Sequence, residues 1–225
     1  MNNFSIKIFR IQIMIALKLL AKGKMSVIFK NIKTRIYSEE VSVRLERYHN
    51  KYFKNPKAKI KFSIRLFRNS DLNTLNEFNR HERLVKENIK NCYIAFDEKN
   101  NNCYRQWLIG HYENTKIQKY FGNLFPLLNE GEALIEGVFT NPDYRGLNIM
   151  PEAMCRISEI GFNMGYKKII VFVNIKNIPS IKGSIRSGFE PYLIRKEKWF
   201  LFTRKVSFTY VPENVKQYVK DIIKK

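Results

Sequence analysis

Between residues 57 and 211 the sequence predicts one mixed α/β domain of the α+β kind, and three observations carry the prediction. Stretches of strand and helix character alternate from Lys57 onward. The chain of 225 residues is long enough for one well-cored domain of about 150 residues plus an appendage. A strand-like run ending at Thr140 leads through Asn141-Pro142-Asp143-Tyr144-Arg145-Gly146 into a helix-like run. Residues 1–56 read as a basic N-terminal extension and residues 212–225 as a terminal helix.

The extension comes first. Ile6 to Ala21 is the most apolar stretch of the chain, but Lys7, Arg10, Gln12 and Lys18 interrupt it, so it is too short a clean run to span a bilayer. No small-x-small cleavage site follows, and Lys22, Lys24, Lys30 and Lys33 keep the region basic, so no signal peptide is expected. On a helical wheel Lys7, Arg10, Lys18 and Lys22 gather within an arc of roughly 120°. The segment from residue 6 to residue 24 therefore reads as a basic amphipathic helix. Two uses stay open, docking on the domain or a partner subunit and adsorption to an anionic membrane surface.

Within the domain, Ala58–Arg68 reads as a strand, and Ser70-Asp71 can cap a helix running to about Asn88. Asn91–Asp97 and Tyr104–Tyr112 read as antiparallel strands joined by an Asn-rich turn, because Asn tolerates the positive φ such turns need. Thr115–Glu130 shows no clear period and is expected as a long loop over a cleft. Gly131–Thr140 reads as a strand, Asn148–Asn163 as a helix ending near Gly165, and Lys168–Asn174 as a buried strand. A short helix follows over Asn177–Arg186, closed by Gly188, and Glu190–Val211 supplies two further strands.

Composition narrows the chemistry. The formal charge is +21, and residues 1–60 hold 14 Lys and Arg against 3 acidic residues. Such a balance favours anionic partners, a phosphorylated cofactor, an acidic membrane or nucleic acid, although most lysines are expected at the solvated surface. No helix-turn-helix, zinc finger or aromatic RNA-binding motif accompanies the charge, so nucleic acid has the least support. Cys92, Cys103 and Cys155 are odd in number and lack zinc spacing, reading as reduced thiols of a cytoplasmic protein. His49, His81 and His111 form no metal-ligand or nucleophile-elbow pattern, so neither metal catalysis nor a Ser-His-Asp hydrolase is supported.

The turn at residues 141–148 reads either as a phosphate-binding turn or as a plain entry to the helix. A strand, an Arg-Gly turn and a helix N-terminus would aim the amides of Arg145, Gly146, Leu147, Asn148, Ile149 and Met150 at an anion, which the helix dipole also favours. The longer order VFTNPDYRGLNI, a helix, the strand KKIIVFVNI and then NIPSIKGSIRSGF resembles the GNAT acetyltransferase family. The similarity is specific over residues 131–190, with Asn177, Ser180, Gly188 and Phe189 at matching positions.

That resemblance implies a GNAT-like acyl-CoA N-acyltransferase fold: a central mixed, mostly antiparallel sheet splayed between two parallel strands, with helices on both faces. Acetyl-CoA would be the acyl donor and an amine the acceptor, whether a small molecule, an amino sugar or a polypeptide. Phe139 and Thr140 would bond the pantetheine arm through the main chain. Residues 145–150 would hold the pyrophosphate, Asn177 and Ser180 would close the far side, and the amide of Val138 or Phe139 would stabilise the oxyanion.

Two departures stand out. Asn148 replaces the family turn's second glycine, which Asn can do because it accepts left-handed geometry. Ser184 stands where the family often has a Tyr that protonates the leaving thiolate; Ser is shorter and a weaker acid, so no general acid is named. For the base, Glu132 and Glu136 lie four apart on one strand and are expected to share a face, with a salt-bridged or solvated pair as the alternative.

An alternative function is a catalytically weak GNAT-like adaptor held at a membrane surface or anionic polymer by its basic N-terminus. The expected location is the cytoplasm, or the inner membrane face if that segment adsorbs. A homodimer is left open. The aromatics Tyr192, Trp199 and Phe200 could shape an acceptor site or belong to the core.

Overall fold

The computed structural model describes residues 32–50, 53–75 and 79–224. The segment at residues 6–24 expected as an amphipathic helix lies outside them. The chain divides into two compact units, one of residues 1–40 with 196–207, the other of residues 41–195 with 208–225.

Eight strands form one mixed sheet: β1 (Tyr37–Tyr48), β2 (Phe62–Leu66), β3 (Cys92–Asp97), β4 (Asn102–Gly110), β5 (Glu132–Thr140), β6 (Lys168–Asn174), β7 (Glu190–Phe200) and β8 (Thr203–Tyr210). Their order is β2-β3-β4-β5-β6-β1-β7-β8. The pairs β2/β3, β3/β4, β4/β5 and β1/β6 are antiparallel, and β5/β6 is parallel. Among the described residues the helices that accompany the sheet are α1 (Asn79–Lys86), α2 (Asn114–Phe121), α3 (Ile149–Asn163), α4 (Ile178–Arg186) and α5 (Glu213–Lys224), besides the short turn of helix at residues 32–36.

In the larger unit, the strands' period of two sorts their side chains into two cores. Leu108, Ala133, Ile135, Ile169, Val171 and Val173 pack with Ile149, Ala153, Met154 and Ile157 of α3 and Ile181 of α4. The residues between them, Trp107, Ile109, Leu134 and Ile170, pack with Leu84 of α1 and with Ile117 and Phe121 of α2. Helices thus cover both faces, as the family resemblance implied.

Four readings of the sequence change. Residues 37–48, ahead of the expected domain start, form strand β1 against β6, with Val43 opposite Val173 and Leu45 opposite Val171. The alternation Val41, Val43, Leu45 was a strand signal, masked because Arg44, Glu46 and Arg47 are buried as well. Arg44 is ion-paired to Glu46 and Arg47 to Glu159, which is what permits their burial. The expected strand Ala58–Arg68 is shorter, Phe62–Leu66.

Asp71 does not start a helix reaching Asn88. It lies in a 3-10 helix over Asn69–Leu75, accepts the Arg68 amide at 2.8 Å and pairs with Arg65 at 2.7 and 2.8 Å. The expected loop Thr115–Glu130 contains α2, because Ile117 and Phe121 fall four apart and both enter the core. Asn114 ties the returning chain down, bonding Leu128 through both its amide oxygen and its amide nitrogen.

In the smaller unit, residues 32–36 are helical and the ends of β7 and β8 form a hairpin tip. The amides of Leu201 and Phe202 donate to the carbonyls of Ile36 and Arg35. No described helix is long and apolar enough to cross a membrane.

Candidate active site

The splay between the parallel strands makes the site. β5 and β6 are in register only from Glu132/Lys168 to Ile135/Val171, after which both strands continue apart. β6 stays with β1 along its other edge, with Asn174 opposite Ser42. The β6-facing edge of β5 beyond Ile135 is thereby opened over a gap.

A bulge sits at the point of divergence. Between the pairs Trp107/Glu136 and Arg105/Phe139, β4 advances two residues and β5 three. Gly137 takes up the extra residue at φ +61°, and a Cβ there would lie 2.7 Å from the Trp107 ring, so this position needs glycine.

Two cavities fill the gap. The outer one, about 730 Å³, runs along Val138, Phe139 and Thr140, past Arg145, Gly146 and Asn148, to the start of α3 and across to Lys182 and Arg186 of α4. The inner one, about 320 Å³, lies between Glu136, His81, Phe172, Met154 and Ser184. Val138, Met150, Asn177 and Ser180 line both.

The turn behaves as its residue types dictate. Asn141 caps a 3-10 turn over Pro142–Tyr144, and the Tyr144 hydroxyl donates to Asp97 at 2.6 Å, which fixes the turn to the β3–β4 hairpin. That bond raises the Tyr144 hydroxyl above its ordinary pKa and lowers the Asp97 carboxyl. Gly146 has φ +77° with nothing within 4 Å of where a Cβ would be, so the space before the turn is open. Asn148 adopts the left-handed conformation at φ 62° and makes no side-chain cap to α3. Its side chain turns outward instead, donating to the Lys57 carbonyl at 2.7 Å and accepting from Arg186 at 3.1 Å. The first turn of α3 is left without a side-chain cap, and three cations, Arg145, Lys182 and Arg186, line the cavity it faces. An anionic diphosphate fits such a place.

The expected binding residues divide. Val138, Phe139, Thr140, Arg145, Gly146, Asn148, Ile149, Met150, Asn177 and Ser180 all line the outer cavity. Leu147 does not: its side chain packs on the core, and its carbonyl accepts from Lys59. The Arg145 amide is engaged by the Pro142 carbonyl, and Asn177 uses its side-chain oxygen to cap α4 at the Ser180 amide.

The two carboxylates also part company. Glu136 lines the inner cavity and accepts the Gly137 amide at 2.8 Å. Glu132 lines neither cavity and forms an ion pair of 2.5 Å with Lys168. Burial pushes its carboxyl up, but the Lys168 bond and the Asn129 amide outweigh this and hold it below the usual range. The bulge lies beyond Glu136 and the register is regular from Ala133 to Glu136, so it does not separate the two; Glu132, at the start of β5, takes the salt-bridged alternative.

Ser184 is fully buried at the inner cavity, and its hydroxyl has no hydrogen-bond partner among the described residues. His81, which no sequence pattern singled out, lines the same cavity from α1. The buried Arg105 guanidinium lies 3.0 Å from its Nδ1 and is anchored on the Thr74 carbonyl. All three cysteines are buried free thiols; burial raises them, Cys103 to about 11, so they are unreactive at neutral pH. Among the described residues no group of His, Cys, Asp and Glu could hold a metal ion.

The comparisons agree with this geometry. The chain resembles in fold a GNAT N-acetyltransferase from Sphaerobacter thermophilus, at 10% identity and TM-score 0.52, covering 78% of this chain and 57% of that one. A GNAT-family acetyltransferase from Colwellia psychrerythraea matches at 13% identity and TM-score 0.51, covering 77% and 57%. A glucosamine N-acetyltransferase region of a fungal multi-domain β-N-acetylglucosaminidase matches at 13% identity and TM-score 0.53, covering 84% and 23%. This chain therefore spans little more than half the length of the first two structures. Among curated proteins none matches. The acetyltransferase (GNAT) family model matches residues 64–183, and the chain belongs to that family.

Proposed function

We propose that this chain is an acyl-CoA-dependent N-acyltransferase that moves an acetyl group from acetyl-CoA to an amine. One observation carries the reading: the outer cavity at the uncapped start of α3 runs, past Val138 and Met150, into an inner cavity that holds a carboxylate, Glu136. The diphosphate would sit at residues 146–150 with Arg145, Lys182 and Arg186 beside it. The pantetheine arm would then lie at Phe139 and Thr140 along the edge of β5 that has parted from β6, as an added strand does.

In the reaction the amine nitrogen attacks the thioester carbonyl, the C–S bond breaks with its electrons going to the thiolate, and the nitrogen gives up a proton. Glu136 is placed to take that proton, directly or through water, and the Val138 or Phe139 amide to bond the oxyanion. Glu132 is assigned no step. Ser184 lines the chamber, but no proton transfer is assigned to it. An acyl-CoA donor together with three buried free thiols suits a cytoplasmic site of action.

The test is free-thiol release from acetyl-CoA across a panel of amines that includes small amines, amino sugars and peptides. Amine-dependent release that Glu136→Gln lowers about 100-fold or more supports the reading. Thiol release by no amine in the panel, with no thermal stabilisation by acetyl-CoA, overturns it.

A further inference from the structure

The hairpin between β7 and β8 carries a feature that acyl transfer does not use. Phe200, Leu201 and Phe202 are consecutive and exposed, at 58%, 61% and 58% of their full accessible surface. Three adjacent large apolar residues in water are unfavourable, and a soluble hairpin has polar residues at such a tip. The backbone repeats the anomaly. Leu201 and Phe202 both have left-handed φ, 44° and 64°, in a two-residue turn where Asn-Gly is the unstrained choice. Bonds from their amides to the Ile36 and Arg35 carbonyls hold the turn in this form.

Around the tip the charge has one dominant sign. Residues 196–205 contain Lys196, Lys198, Arg204 and Lys205 against Glu197 alone. Lys196, Lys198 and Lys205 are exposed, as is Phe200, and all lie at alternate positions of their strands. Lys198 lies over the ring of Tyr37, itself 58% exposed. The Trp199 ring is met by two guanidiniums, Arg35 at 5.2 Å and Arg204 at 5.7 Å. Burial and then the repulsion from Arg204 lower the pKa of Arg35, and Arg204 is itself paired with Glu197 at 3.7 Å.

We infer that this tip docks on an anionic lipid surface: Phe200, Leu201 and Phe202 enter the headgroup boundary while Lys196, Lys198 and Lys205 meet the lipid phosphates. Aliphatic and aromatic side chains at the apex fit a hydrocarbon boundary, and the flanking cations fit its negative potential. The inference stands independently of the acyltransferase reading and uses residues far in sequence from the basic segment at residues 6–24.

The test is co-sedimentation of the full chain with phosphatidylglycerol vesicles and with neutral phosphatidylcholine vesicles, with Trp emission followed in parallel. Binding to the anionic vesicles should weaken with salt and shift the Trp199 emission to the blue. The double substitution L201N/F202G removes the apolar apex but installs the preferred turn sequence, so the fold should keep or raise its melting temperature. It should lose about tenfold or more in vesicle affinity. A double variant that binds like the parent, or a parent that binds neutral and anionic vesicles equally, overturns the inference.

Discussion

Arg105 Nη2 lies 3.0 Å from Nδ1 of His81, and because a guanidinium can only donate, His81 must hold its proton on Nε2. Arg105 is completely buried, and it also donates to the carbonyl and hydroxyl of Thr74. It thus joins the chain after β2 to α1 and sets the orientation of a ring that lines the inner cavity. Arg105→Leu should cost about 2–3 kcal/mol in urea unfolding, since three acceptors, the buried His81 ring nitrogen and two on half-buried Thr74, lose their donor.

Glu132 and Glu136 should separate cleanly under mutation. Glu136→Gln should leave stability nearly unchanged and remove most turnover, whereas Glu132→Gln should keep turnover within a few fold and destabilise the fold. The pH dependence gives a second readout. The Glu132 carboxyl titrates below its ordinary value of 4.5 in the folded chain, so its stabilisation is complete above that pH and is lost as pH falls through the lower folded value. Thermal unfolding of Glu132→Gln between neutral pH and about pH 3 should therefore show a shallower acid limb than the parent.

The cofactor slot predicts a ligand effect that depends on charge. Coenzyme A at about 100 times its dissociation constant should stabilise the chain by about 2.7 kcal/mol, a shift of several degrees in a thermal melt. The double substitution Lys182→Ala with Arg186→Ala should reduce that shift, and the reduction should be larger at low salt than at high salt.

Gly137 is the position where substitution should be least tolerated. An alanine Cβ would enter the Trp107 ring and also require a left-handed conformation, so Gly137→Ala should cost about 2–4 kcal/mol by chemical denaturation. It should also weaken coenzyme A binding, since the bulge starts the edge of β5 that has parted from β6.

Asn148 offers a contrasting case. Asn148→Ala should destabilise by about 1–2 kcal/mol, from left-handed strain plus the lost bonds to Lys57 and Arg186. Asn148→Gly removes the strain and loses only the bonds, so its melting temperature should fall less.

The parts of the fold with a local signal are legible in the order of the amino acids. The Asn-Pro-Asp-Tyr-Arg-Gly turn, the parallel strands on either side of α3 and the Asn177 cap of α4 lie within a continuous stretch, where spacing and turn chemistry state the structure directly. Tertiary structure decided the rest, because those outcomes depend on partners remote in sequence. β1 is a strand with buried charges only because Arg47 finds Glu159, and its Glu46 lies near Lys168. His81 is oriented at the cavity by Arg105, and Glu132 and Glu136 differ because Lys168 of the neighbouring strand pairs with the first while the parting of β5 from β6 leaves a cavity beside the second. Which charges are buried, and which residues pair across such distances, is not encoded in local spacing.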